Sequence, residues 1–252
     1  MIYDLFSLDD KVVVVTGGSR GLGKVMCEAF AAQGADVVVA SRKLGHCEVL
    51  ADELRSRFDS RALAVAANVS NWEDCDRLVE TVLDSYGRID VLVNNAGLSP
   101  LYPSLTEVTQ DLWDKVVAVN LRGPFRLMAL AGAHMVPRET GSIVNISSSA
   151  AIRPRPDLLP YAAAKAGLNS LTEGFAAALG PHVRVNGIQA GPFLTDVSKA
   201  WDHEAFAKRA HTSIALQRAG NPDEVVGAAL YLASRASSFC TGATIRLDGG
   251  VQ

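Results

Sequence analysis

The sequence predicts an α/β fold: a doubly wound parallel sheet of about seven strands with helices on both faces. Three observations carry this expectation. Short runs rich in valine and isoleucine alternate with longer helical stretches along the whole chain. The runs are continuously apolar rather than alternating with polar residues, as in strands covered on both faces by crossover helices. No long proline- or serine-rich linker, charge block or repeat interrupts the alternation, so one domain is expected over residues 1–252.

In chain order, the strand candidates are Val12 to Val15, Val37 to Val39, Ala64 to Ala67, Val91 to Val93, Ser142 to Ile146, His182 to Gly187 and Thr244 to Leu247. Between them Leu22 to Gln33, Cys47 to Phe58, Trp72 to Tyr86, Leu112 to Met135, Tyr161 to Leu179 and Pro222 to Ala233 read as helices. Ser70 ahead of Glu73 has the spacing of a capping box, and Asn221 with Pro222 makes a helix start. One stretch, at about 192–218, leaves the pattern and contains the helix-like segment WDHEAFAKRAHTSI. An insertion there reads as a lid over a substrate site.

Hydrophobic residues make up 48% of the 252 and charged residues 20%, with a net charge of -3. That balance excludes disorder and gives no general attraction to nucleic acid or to anionic membrane. The opening MIYDLFSLDDK has acidic residues where a secretion signal has basic ones, and no apolar run reaches spanning length. Cys27, Cys47, Cys75 and Cys240 lack the paired spacing of a zinc site and read as the reduced thiols of a cytoplasmic protein. The histidines, His46, His134, His182, His203 and His211, are scattered, and no metal is expected.

The first strand runs directly into TGGSRGLG and then into a helix, the context that gives a glycine pattern meaning. Gly17, Gly21 and Gly23 permit a tight turn, close approach of a pyrophosphate and tight helix packing. The helix amino-terminus supplies unpaired N–H groups and positive dipole to the phosphates. At the end of the second strand an NAD site needs a carboxylate for the ribose hydroxyls, but Ser41 stands there, followed by Arg42 and Lys43. Arg20 of the glycine loop reaches the same region, so cations flank the place of a 2′-phosphate and NADP is favoured over NAD. Asp36 lies at the wrong end of its strand to change this.

Tyr161 and Lys165 in YAAAK are one helical turn apart and project from one face. An unperturbed tyrosine has a pKa of about 10, and lowering it to about 7 takes roughly 4 kcal/mol. A lysine ammonium about 4 Å away at an effective dielectric near 20 supplies that much as an upper bound. The same spacing is common on surface helices, so its companions decide. Upstream, SIVNI is followed by Ser147, Ser148 and Ser149, hydroxyls at the carboxyl end of a strand, where doubly wound folds bind ligands.

These motifs resemble, in order and spacing over nearly the whole chain, the short-chain dehydrogenase/reductase family, whose fold is Rossmann-like. They are TGGSRGLG, NNAG at Asn94 to Gly97, Asn120 in VNLRGPF, the serine-ended strand and YAAAK. The resemblance implies Asn120, Ser148, Tyr161 and Lys165 as the catalytic set, with Ser148 chosen among the three serines and Asn120 holding a water that joins Lys165 to solvent. It implies hydride transfer between a nicotinamide and a carbonyl carbon, with Tyr161 exchanging the oxygen's proton, Ser148 polarising the oxygen and Lys165 also holding the ribose. It extends the cofactor contacts to Ser19, Leu22, Asn68, Val69, Asn94, Ala96, Gly97, Gly191, Pro192 and Thr195, and it implies a homotetramer, or a homodimer, joined through 112–135 and 161–179.

Two departures stand out: Asn68 replaces the family's aspartate after the third strand, and AGPFLT places Ala190 and Gly191 where proline and glycine are usual. A small carbonyl or alcohol substrate is expected among 98–102, 150–160 and the insertion. Arg153 and Arg155 are candidates for an anionic substrate or for solvated charges, and Phe193, Trp201 and Phe206 for a pocket lining or for packing. Competing readings are an epimerase or dehydratase, which lacks here its usual larger carboxyl-terminal region, an NAD-preferring sugar-acid or alcohol dehydrogenase, and a non-catalytic NADP-binding regulator. Intact Ser148, Tyr161 and Lys165 oppose the last.

Overall fold

A computed structural model describes residues 5–196, 198 and 202–252. Seven parallel strands form one sheet: β1 (Val12–Thr16), β2 (Asp36–Ser41), β3 (Leu63–Ala66), β4 (Val91–Asn94), β5 (Gly141–Ser148), β6 (Val183–Ala190) and β7 (Thr244–Leu247). Their order is β3-β2-β1-β4-β5-β6-β7, so the winding reverses between β1 and β4 and opens a crevice at their carboxyl ends. The fold is the expected open, Rossmann-like α/β sheet.

Successive strand residues enter opposite cores, which is why the strands read as continuous apolar runs. Val13, Val15, Val37 and Val39 pack under α1 (Gly21–Ala32) and α2 (Leu44–Arg57) through Met26, Phe30, Leu50 and Leu54. Their neighbours Val12, Val14 and Val38 pack under α3 (Trp72–Tyr86) with Leu78 and Val82. At about 25 cal/mol per Å² of apolar surface, two such layers supply the main drive to fold.

The expected helix from Leu112 to Met135 is interrupted. It is α4 (Gln110–Val117), a π-helical turn at Ala118–Arg122, then α5 (Gly123–Met135). A Cβ on Gly123 would stand 2.1 Å from the Val69 carbonyl oxygen, so the extra residue of the π turn lies where the helix presses on the loop after β3. The expected capping box at Ser70 is not formed. Asn71 caps α3 instead, accepting from Asp74 N at 2.8 Å, because Ser70 turns back to donate to Asn68 Oδ1 at 2.9 Å. At Asn221 the expected start stands, with Glu224 accepting from the Asn221 N–H at 2.7 Å. A 3₁₀ turn, Pro222–Val225, then leads into α8 (Val226–Ala233).

Two long elements carry the chemistry. β5 runs on past Ile146 to Ser148, paired with β6 as far as Ala190, and α6 (Leu159–Leu179) returns across it. The segment after β6 contains α7 (His203–Ser213), whose Phe206 and Ala210, with Ile214 just past its end, bury against Ala219 and Val251. Among the described residues no helix is long and apolar enough to cross a membrane.

Candidate active site

The glycine loop is built for close approach. Gly17 has φ +62°, and a Cβ there would lie 2.9 Å from Ala96 Cα. A Cβ on Gly23 would sit 2.2 Å from the Gly17 carbonyl oxygen, so α1 packs on the loop with no room for a side chain. Asn95 clamps this turn, donating from Nδ2 to Thr16 O at 2.9 Å and Gly17 O at 3.1 Å, while Thr16 Oγ1 accepts from Asn95 N at 3.0 Å and Ala96 N at 3.2 Å. Thr16 and Asn95 were not among the expected site residues. The doubled asparagine of NNAG was the available signal, and it pointed to Asn94. Asn94 is buried, and its side chain turns into the sheet to donate to Asn145 Oδ1 at 2.9 Å, leaving only its main chain for a ligand.

At the end of β2, Ser41 Oγ lies 3.0 Å from Ser19 Oγ and 3.0 Å from Cys47 Sγ, which ties the loop to the strand. Arg20, Arg42 and Lys43 are exposed beside this pair. None has a carboxylate partner among the described residues. Asn68 Oδ1 is held by Ser70, so its amide N–H groups are what remains for a base, and Val69 is buried in the core, leaving its main chain. After β6, Gly191 N donates to Leu247 O at 2.9 Å, and a Cβ there would lie 2.5 Å from Asp248 Cα. The residue after Ala190 must therefore be glycine for the chain to pass β7. Thr195 then folds over the glycine loop, its Cβ 3.5 Å from the place of a Cβ on Gly21. An open cradle of backbone and hydroxyls with exposed cations at one end fits a dinucleotide.

The catalytic candidates converge at the carboxyl end of β5. Ser148 Oγ accepts from Ala150 N at 3.2 Å at the end of β5. Lys165 lies one turn further along α6, 2% exposed, with Nζ donating to Ile146 O at 2.7 Å and 5.8 Å from the centre of the Tyr161 ring. Burial raises the Tyr161 phenol above its ordinary range, and Ser148 opposes that. Burial pulls Lys165 down to about 8. The expected lowering of Tyr161 by Lys165 is therefore not found in the free chain: the ammonium turns to Ile146 and its own charge is weakened by burial.

Asn120 sits in the π turn, fully buried. Nδ2 donates to Leu98 O at 2.8 Å and Val116 O at 2.9 Å, and Oδ1 accepts from Leu98 N at 3.2 Å. It fixes the 98–102 loop to the helix bend. Tyr102 continues that link, donating to Pro156 O at 2.6 Å and accepting from Leu159 N at 2.8 Å.

Other candidates are resolved differently. Phe193 packs in the main core and Phe206 in a small separate cluster with Ala210, Ile214 and Ala219, while Trp201 lies outside the described residues. Arg155 pairs with Asp157 at 2.7 Å, and Arg153 donates to Val251 O at 3.1 Å. All four cysteines are free, and no cluster of metal ligands occurs among the described residues.

A family model described as Enoyl-(Acyl carrier protein) reductase matches residues 17–252. The chain belongs to the short-chain dehydrogenase/reductase family. It is 35% identical over 250 residues to 5-keto-D-gluconate 5-reductase of Escherichia coli K12, covering 98% of each chain. It is 36% identical over 248 residues to a 3-oxoacyl-(acyl-carrier-protein) reductase of Thermotoga maritima, covering 97% of this chain and 98% of that one. A solved structure from Beutenbergia cavernae, described as a putative NAD(P) dependent gluconate 5-dehydrogenase with bound NADP, superposes with a TM-score of 0.92 at 33% identity, over 97% of this chain and 98% of that one. As a short-chain dehydrogenase/reductase the chain is an oxidoreductase using a nicotinamide nucleotide.

Proposed function

We propose that this enzyme reduces a carbonyl group, or oxidises the matching secondary alcohol, with NADP(H) preferred over NAD(H), through Ser148, Tyr161, Lys165 and Asn120. The observation that carries the reading is Lys165, buried on α6 with Nζ 5.8 Å from the centre of the Tyr161 ring and donating to Ile146 O of β5, the strand that ends at Ser148. The nicotinamide supplies or accepts the hydride. Ser148 and Tyr161 hold the substrate oxygen from two sides, and Tyr161, kept protonated by burial, donates its proton to that oxygen as reduction proceeds. Lys165 then stabilises the phenolate that remains. Asn120 acts through position, fixing Leu98 at the rim of the cleft.

The preference for NADP rests on Arg20, Arg42 and Lys43 standing without carboxylate partners where Ser41 replaces the acid an NAD site needs. A homotetramer, or homodimer, meeting over α4, α5 and α6 belongs to the same reading, supported by Phe125 at 40% exposed on α5. A panel of ketones, aldehydes and sugar acids followed by NADPH and NADH absorbance tests the reading. NADPH oxidation by at least one carbonyl compound is expected, and silence across the panel with both cofactors refutes it.

A further inference from the structure

We propose that Tyr102 is a positioning residue for the reaction: its phenol pins the first turn of α6 and so sets where the Tyr161 hydroxyl stands. The inference rests on the proton transfer proposed for Tyr161 and adds the residue that holds it in place.

Tyr161 is the third residue of α6, and the start of that helix is left uncapped by its own sequence. Leu158 at the N-cap makes no side-chain cap, and Pro160 has no N–H to give. The Leu159 N–H is satisfied from outside the helix, by Tyr102 Oη at 2.8 Å. The same hydroxyl donates to Pro156 O at 2.6 Å, at the head of the 3₁₀ turn Pro156–Leu158. One phenol thus acts as donor and acceptor at once, and ties the turn before α6 to the start of the helix.

Tyr102 is itself held. Asn120, buried in the π turn, donates to Leu98 O at 2.8 Å and accepts from Leu98 N at 3.2 Å. Pro100 lies between Leu98 and Tyr102, and Pro103 follows, which narrows the freedom of the loop backbone. A continuous path therefore runs from the π turn through the 98–102 loop to the first turn of α6. One turn further along α6 is a second tie, Lys165 Nζ to Ile146 O of β5 at 2.7 Å. Tyr161 lies between the two ties, and β5 ends at Ser148. Tyr102 and Tyr161 also line one narrow recess with Val116, Leu158 and Pro160. Without the Tyr102 hydroxyl only the Lys165 tie remains, and the Tyr161 hydroxyl is free to shift relative to Ser148. A misplacement of about 1 Å costs up to about 100-fold in rate.

The test is Tyr102→Phe, which keeps the ring and removes both bonds. Hydrogen–deuterium exchange read by mass spectrometry needs no turnover. Segment 156–163 is expected to exchange at least about fivefold faster, with the sheet unchanged. The second arm is single-turnover oxidation of bound NADPH by 5-keto-D-gluconate, or by 9,10-phenanthrenequinone where the wild type refuses the acid. The rate constant is expected to fall at least about tenfold at full amplitude, with the NADPH Kd within about threefold. A role in folding alone lowers the amplitude and leaves the rate constant. That result, an unchanged rate constant at full amplitude, or unchanged exchange at 156–163 overturns the assignment. If the wild type turns over neither compound, the carbonyl reading has failed; faster exchange in Tyr102→Phe then still supports the pinning of α6, and unchanged exchange still overturns it.

Discussion

Lys165 Nζ donates to Ile146 O at 2.7 Å while standing 5.8 Å from the Tyr161 ring centre, so the lysine proposed to assist the tyrosine is anchored to the strand β5. This anchoring is achieved against the cost of burying an ammonium. With the native pKa near 8 and the unfolded value about 10.4, the unfolded chain binds more protons between these limits, so stability rises with pH across that window. The penalty below pH 8 is roughly 3 kcal/mol. Lys165→Met is expected to raise the Tm at pH 7, to flatten the rise in stability between pH 8 and 10, and to abolish turnover. Thermal melts across that range check it; a lower Tm with an unchanged slope contradicts it.

Arg42→Ala is expected to raise the Kd for NADPH roughly 10- to 100-fold, the worth of a charge-assisted hydrogen bond. The Kd for NADH stays within about threefold, since only the 2′-phosphate engages the cation. Fluorescence titration with each cofactor decides, and equal losses would remove the phosphate assignment.

Gly23→Ala drives a methyl into the Gly17 carbonyl, 2.2 Å from the new Cβ. Affinity for both cofactors is expected to fall at least tenfold, because the loop backbone must move out of the phosphate cradle. Unchanged titrations would mean that the loop's closeness to α1 is not what shapes the site.

Asn95→Ala removes two hydrogen bonds to the backbone of Thr16 and Gly17. A loss of about 1–3 kcal/mol in unfolding free energy is expected, with weaker binding of both cofactors. Chemical denaturation with and without NADPH measures both effects, and a variant of full stability and affinity would show the clamp to be dispensable.

The strands were legible because each buries both faces: Val12 and Val14 enter one core while Val13 and Val15 enter the other, leaving an unbroken apolar run. The glycine cradle and the Tyr161–Lys165 turn were legible because both are local patterns. What the sequence hid depends on distant partners. The break at Asn120 follows from Gly123 meeting Val69, and the role of Asn95 follows from Thr16 across the crevice. The direction of the Tyr161 shift is set by burial that no spacing reveals.

In the proposed mechanism Tyr161 exchanges the proton of the substrate oxygen. Tyr161→Phe keeps the ring and its packing and removes only the hydroxyl. Single-turnover NADPH oxidation with a carbonyl compound accepted by the wild type, measured beside the NADPH Kd, is the direct test. A rate lowered by at least about 10³-fold, toward the upper end for loss of a general acid, is expected, with a Kd within about threefold. Turnover near the wild-type rate would contradict it.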